Sequence, residues 1–123
     1  ISSLAFLTAC AVKFDPIEHS RIVDIRHRVY EAQHNQLCAE FNTARYTAEN
    51  LDSDASWLVF YTQFIKNNDL TEKMATELKN TTSEFANRYR NPPVPTKVYC
   101  ELKLKNIATQ IEVIQRTNAR RPR

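Results

Sequence analysis

His27, Glu31 and His34 are the residues whose types and spacing come nearest to chemistry. Glu31-Ala32-Gln33-His34 has the ExxH spacing with which bundle helices hold a di-iron centre, and such a centre needs a second ExxH on another helix. No histidine follows His34, so one chain cannot complete it. His27 and His34 stand two helical turns apart, roughly 10 Å along a helix axis, too far to share one metal. His27 with Glu31, or Glu31 with His34, offers two ligands only. The expectation is no metal and no cofactor, with both histidines satisfied by neighbouring acids or tyrosines. Cys10, Cys38 and Cys100 form no CxxC pair for zinc and no CxxCH for haem. Ser53, Ser56 and Ser83 fall at cap or helix-surface positions, and no Ser–His–Asp set can be placed. Asp52 and Asp54 read as charges flanking a helix cap. The chemistry expected is therefore non-catalytic.

The 123 residues are enough for one domain and one core. Hydrophobic residues make up 42% and charged residues 25%, the balance of a globular chain rather than a disordered one. Glycine is absent. That excludes the P-loop, the dinucleotide GxGxxG, the GxSxG nucleophile turn and the EF-hand loop, each of which needs a glycine backbone. It also disfavours an all-β fold built on Asn-Gly and Asp-Gly hairpins.

The pattern predicts four helices. Asp15-Pro16-Ile17-Glu18 supplies an N-cap, a proline at N1 and a glutamate at N3 for a capping box. Val23, His27, Tyr30, His34, Leu37, Phe41, Ala44 and Ala48 then alternate by four and three, which predicts one long helix to about Ala48, widened by Ile22, Ile25 and Val29. Leu51-Asp52-Ser53-Asp54 reads as the break and the next cap. A short second helix over about Ala55 to Lys66 carries Trp57, Leu58, Tyr61, Phe64 and Ile65, with Val59 and Phe60 making it apolar nearly all round and so the most buried. Asn67-Asn68 ends it, an asparagine taking the left-handed conformation. Asp69 caps a third helix bearing Met74, Leu78, Thr81, Phe85 and Tyr89. Asn91-Pro92-Pro93-Val94-Pro95 must be extended. Thr96 caps a fourth, with Cys100, Leu104, Ile107, Ile111 and Ile114 in the cleanest stripe. The expected fold is all-α, a single-domain up-down-up-down four-helix bundle. Leu102, Val113, Val59 and Phe60 lie off the stripes; they either form a self-association or partner surface or pack against each other.

Charge is uneven along the chain. Residues 1–12 carry none, residues 13–91 carry ten basic and twelve acidic side chains, and residues 92–123 carry seven basic and two acidic. Residues 119–123 read as a basic tail, and Arg116, Arg120, Arg121 and Arg123 as its membrane- or partner-contacting cations, with a solvated terminus as the other reading. A basic stripe of Lys97, Lys103, Lys105 and Arg116 raises nucleic-acid binding, but no recognition motif accompanies it, so no nucleic acid is expected. Asn80-Thr81-Thr82 is a glycosylation sequon read as inert.

Ile1 to Ala9 is apolar, uncharged and small-residue-rich at its end, the shape of a secretory signal. Leu7-Thr8-Ala9-Cys10 resembles the bacterial lipobox. The resemblance implies cleavage before Cys10, a diacylglycerol on its thiol, and a basic n-region before Ile1. Ala11 in the next position implies, by the same resemblance, the outer membrane rather than the inner. Residues 1–12 are accordingly a signal and lipobox, or else an apolar N-terminal arm, and residues 13–118 the bundle. With Cys10 acylated, Cys38 and Cys100 remain as a pair, and an oxidising envelope allows their disulfide, closing a loop of about sixty residues. Two buried free thiols in a cytosolic protein are the alternative.

The whole resembles the small lipoproteins carried by bacteria and tailed phages. It implies an envelope-anchored protein on the periplasmic face of the outer membrane or at the cell surface. Its work would be binding or structure: receptor masking, envelope bridging or lysis support. Its partners would be the membrane, through the lipid anchor, and an envelope protein or a second copy. The other expectation is a structural subunit of a virion, filament or other extracellular assembly, with residues 1–12 packing into a neighbour.

Overall fold

Pro16 opens a helix because Asp15, in an extended conformation, accepts the Glu18 backbone N–H at 2.9 Å. The computed structural model describes residues 12–123; Leu7-Thr8-Ala9-Cys10, read from the sequence as resembling a lipobox, lies outside them. Four helices follow one another: α1 (Pro16–His34), α2 (Phe41–Thr62), α3 (Asp69–Arg88) and α4 (Lys97–Ala119), with a short 3-10 turn, Leu37–Ala39, between the first two. No strand occurs among the described residues. The chain is all-helical and folds as one domain around one core. α1 packs on α2, α2 on α3, α3 on α4, and α4 closes on α1.

The first half divides differently from the sequence pattern. The long helix expected to reach Ala48 stops at His34, where Gln36 takes the left-handed conformation at φ 53°. Leu37–Ala39 turns the chain, and Glu40 caps α2 by accepting the backbone N–H groups of Asn42 and Thr43 at 3.0 and 2.9 Å. These bonds hold the Glu40 carboxyl below its ordinary value. The expected break at Leu51–Asp54 is not a break: α2 runs through it, Leu51 is fully buried, and Asp52 reaches α3.

The core faces change accordingly. On α1 the buried side chains are Ile22, Ile25, Val29 and Ala32, while Val23, His27, Tyr30 and His34 are exposed. On α2 they are Ala44, Thr47, Ala48, Leu51, Ala55, Leu58 and Thr62, a narrow seam of mostly small residues. Its aromatic residues are not core: Phe60 is exposed and meets the likewise exposed Phe64, just beyond the helix end, edge to face. This segment is therefore not the most buried. Leu102 and Val113 on α4 are exposed too and Val59 packs against the one core, so the off-stripe set is not a second core. Three expectations hold in the second half: Asn67 is left-handed at φ 62°, Thr96 caps α4, and Cys100, Leu104, Ile107, Ile111 and Ile114 are all buried. On α3, Leu78 and Phe85 are core as expected, joined by Ala75, Thr82 and Ala86.

Cys38, carried by the 3-10 turn, and Cys100, in the first turns of α4, stand at disulfide distance, with their Cα atoms 5.6 Å apart.

Candidate functional site

Glu18 sits in the first turn of α1, where a capping box would turn its carboxylate back to the helix start. It does not close one. Its side chain is 0% exposed and points into the bundle end, where Arg121, only 7% exposed, donates to it through Nη1. Asn68 Nδ2 donates to the other carboxylate oxygen at 2.9 Å and to the Thr62 carbonyl at 3.3 Å. Arg121 Nη2 donates to Asn68 Oδ1 at 2.6 Å and to Thr71 Oγ1. The start of α1, the end of α2, the start of α3 and the residues after α4 thus converge on one ion pair.

The same cluster explains a missing cap. Asp69 does not cap α3; Asn68 holds the N-cap position and makes no side-chain cap bond, because its amide is spent on Glu18, Thr62 and Arg121.

The sequence sets Arg121 among the cations facing a membrane or partner, and its burial corrects that. A guanidinium committed to Glu18, Asn68 and Thr71 is not available to a headgroup. The residues after α4 are docked rather than frayed: Phe14 N donates to the Pro122 carbonyl at 2.8 Å, and the Arg123 guanidinium lies 4.0 Å from the Phe14 ring centroid. Arg120 is exposed, and Arg116 pairs with Glu112 along α4. Sequence reasoning missed Glu18, Asn68 and Thr71. The polar residue types point outward by default, and nothing in their spacing announces a cluster assembled from three helix ends.

The histidines stay apart. His27 Nδ1 lies 3.6 Å from Glu31 on the exposed face of α1, and His34 stacks on Tyr30. Among the described residues, no group of three or more metal-ligating side chains gathers. Beside His27, an open cleft of about 270 Å³ lies between α1 and α2, lined by Arg21, Asp24, Arg28, Glu31 and Asp54. Arg28 pairs with Asp54 across it at 2.8 Å, and Arg21 stacks over Trp57 beside it.

Ser83 and Asp52 meet, but as a structural clamp. The Asp52 carboxylate accepts from Lys79 Nζ at 2.9 Å, Ser83 Oγ at 2.8 Å and Thr82 Oγ1 at 3.0 Å, tying α2 to α3. Burial raises its pKa, and these donors outweigh burial, so the carboxyl sits below its ordinary value of 3.8. A depressed carboxyl adds stability that is fully present above the unfolded value and is lost as pH falls through the folded one. Asp52→Asn should therefore cost about 1–3 kcal/mol at neutral pH. It should also flatten the fall of the urea midpoint below about pH 4 relative to the parent chain. Parallel pH profiles for the two chains would contradict the clamp.

Among the described residues, no helix is long and apolar enough to cross a membrane. Compared with protein-family models, with curated proteins and with solved structures, the chain matches none.

Proposed function

We propose that this chain is an envelope-anchored helical lipoprotein that acts by binding or as a structural element, not by catalysis. The observation that carries the reading is the distribution of its three cysteines. Cys38 and Cys100 stand at disulfide distance, and Cys10 is left alone at the end of an uncharged apolar run in the Leu7-Thr8-Ala9-Cys10 setting of a lipobox. A disulfide suits an oxidising compartment, and a lipobox sends its protein to one. We further infer an up-down-up-down bundle. Contacts at Glu18 and Asn68 gather the start of α1, the end of α2, the start of α3 and the residues after α4 at one end. The Phe41–Tyr89 ring contact and the cysteine pair gather the opposite termini at the other. Such a bundle is a stiff body of about 30 Å held at one end by its anchor. That form suits masking a surface receptor, bridging to an envelope partner or supporting lysis. The anchor would hold it on the periplasmic face of the outer membrane or at the cell surface, with no cofactor beyond the covalent lipid and no nucleic acid.

Intact mass of the protein from its native membrane fraction tests this. The expected species begins at Cys10, carries a diacylglycerol and a further acyl chain, and lacks two protons for a Cys38–Cys100 bond. A mass that retains residues 1–9 without lipid would overturn the anchored reading. It would favour the subunit of a larger assembly, whose apolar arm packs into a neighbour, and the exposed Phe60 and Phe64 would be the surface to examine first.

A further inference from the structure

We propose that the bundle end at which α1 begins is a bilayer-contacting face that takes anionic phospholipid headgroups; the orientation rests on the anchored reading above. Three apolar side chains are exposed there: Ile17 in the first turn of α1 at 57%, Phe64 after the end of α2 at 76%, and Leu70 in the first turn of α3 at 61%. The Glu18–Asn68–Arg121 cluster holds their three segments together from beneath. Phe60 extends the set through its edge contact with Phe64. Cations accompany them: Lys13, Lys66, Arg120 and Arg123 are exposed at this end. The acids there are fewer and partly occupied. Asp69 is exposed, Glu72 is half-buried, and the Asp15 carboxylate accepts from the Tyr61 hydroxyl and the Glu18 backbone.

Two arguments name the occupant. The first is where the chain leads. Val12, the first described residue, belongs to this end, and Cys10 precedes it by two residues, a reach of at most about 7 Å. An acyl chain on Cys10 therefore keeps this face, and not the Cys38–Cys100 end, against the bilayer. The second is composition. Lysine is depleted in protein–protein interfaces, whereas apolar side chains flanked by lysine and arginine suit the headgroup boundary, where apolar bodies enter and cationic heads stay at the phosphates. Arg121 takes no part, since it is already paired with Glu18.

The test uses the full chain with Cys10→Ser, so that no lipid contributes, and flotation with vesicles of phosphatidylcholine alone or mixed with phosphatidylglycerol. Binding to the mixed vesicles is expected, weakened by salt and much reduced on phosphatidylcholine. Ile17→Glu/Phe64→Glu/Leu70→Glu should weaken it by about tenfold or more, and Lys66→Glu/Arg120→Glu should remove most of the salt dependence. Val94→Glu/Val98→Glu, at the Cys38–Cys100 end, should leave binding unchanged. Residues 1–9 are common to all these chains, so their own membrane affinity cancels. The substituted residues are exposed, and an unchanged thermal melt checks each variant. Equal binding by parent and triple variant, indifference to phosphatidylglycerol, or no binding by the parent would each overturn the face. Lipid on Cys10 is decided separately by intact mass, so either proposal can fail without the other.

Discussion

Replacing Arg121 by alanine is expected to cost about 3–5 kcal/mol of folding stability, a large share of the roughly 5–15 kcal/mol that holds a domain of this kind together. The residue lies two positions beyond α4, in a segment whose sequence reads as an exposed basic tail, where a substitution would be worth no more than about 0.5 kcal/mol. The difference comes from what is left behind. Glu18 is fully buried, and without Arg121 its charge keeps only the Asn68 amide. Asn68 Oδ1 and Thr71 Oγ1 lose their guanidinium donor at the same stroke. Deleting residues 119–123 should cost at least as much, because it also removes the Pro122 carbonyl that holds Phe14 and the Arg123 cation over its ring. Urea midpoints at neutral pH measure both.

The control separates the ion pair from the space it fills. Arg121 Nε is buried and has no hydrogen-bond partner among the described residues, so the cluster is not fully satisfied. Buried pairs of that kind are often matched or exceeded by apolar residues of similar volume. Glu18→Leu/Arg121→Met should accordingly recover most of the stability that Arg121→Ala loses. Glu18→Gln alone should not, since it strands the guanidinium. An Arg121→Ala midpoint within error of the parent would return residues 119–123 to solvent and dissolve the support beneath the proposed membrane face.

How far the sequence carries the reader depends on what signals each element. α4 is legible because its cap is a threonine after a proline run and four of its buried residues, Leu104, Ile107, Ile111 and Ile114, are large, aliphatic and regularly spaced. The α1–α2 boundary is not. Without glycine, the left-handed turn falls to Gln36, and the cap to Glu40, whose side chain is not among the favoured N-caps. Leu51-Asp52-Ser53-Asp54 has the composition of a cap and yet lies inside a helix. There Asp52 faces Lys79 and Ser83, Asp54 faces Arg28, and tertiary partners outweigh local propensity. The seam of α2 is built from alanine, threonine and leucine, whose pattern is faint beside the aromatic residues on its outer face. Burial assigned by size alone therefore selects the wrong side. The cysteine pair is legible by way of the lipobox resemblance, as the two left over, and an up-down bundle lets a long first helix bring Cys38 to the start of the last. The long first helix that would place Cys38 does not exist, and the 3-10 turn after α1 brings it to α4 instead.

Reduction of the Cys38–Cys100 pair is expected to lower stability by about 4 kcal/mol, the chain-entropy value for a loop of this size. The residues are separated by 62 positions, and the closed segment contains all of α2 and α3. The cysteine pair joins the turn after α1 to the first turns of α4, whereas the Glu18–Arg121 pair joins the first turn of α1 to the residues after α4, so the two are separated by the roughly 30 Å length of α1. The crosslink therefore restrains a part of the chain that the ion pair does not reach. A reducing agent should lower the urea midpoint of the parent chain and leave that of Cys38→Ala/Cys100→Ala unmoved, with the two converging once the parent is reduced. A parent midpoint indifferent to reductant would mean two packed thiols, at home in the cytosol, and would withdraw the compartment argument from the anchored reading. A midpoint that falls by the expected amount would mean that the bundle draws a large part of its stability from a bond that a reducing compartment removes. It would then be a fold made for the far side of a membrane, which is where a lipid on Cys10 would hold it.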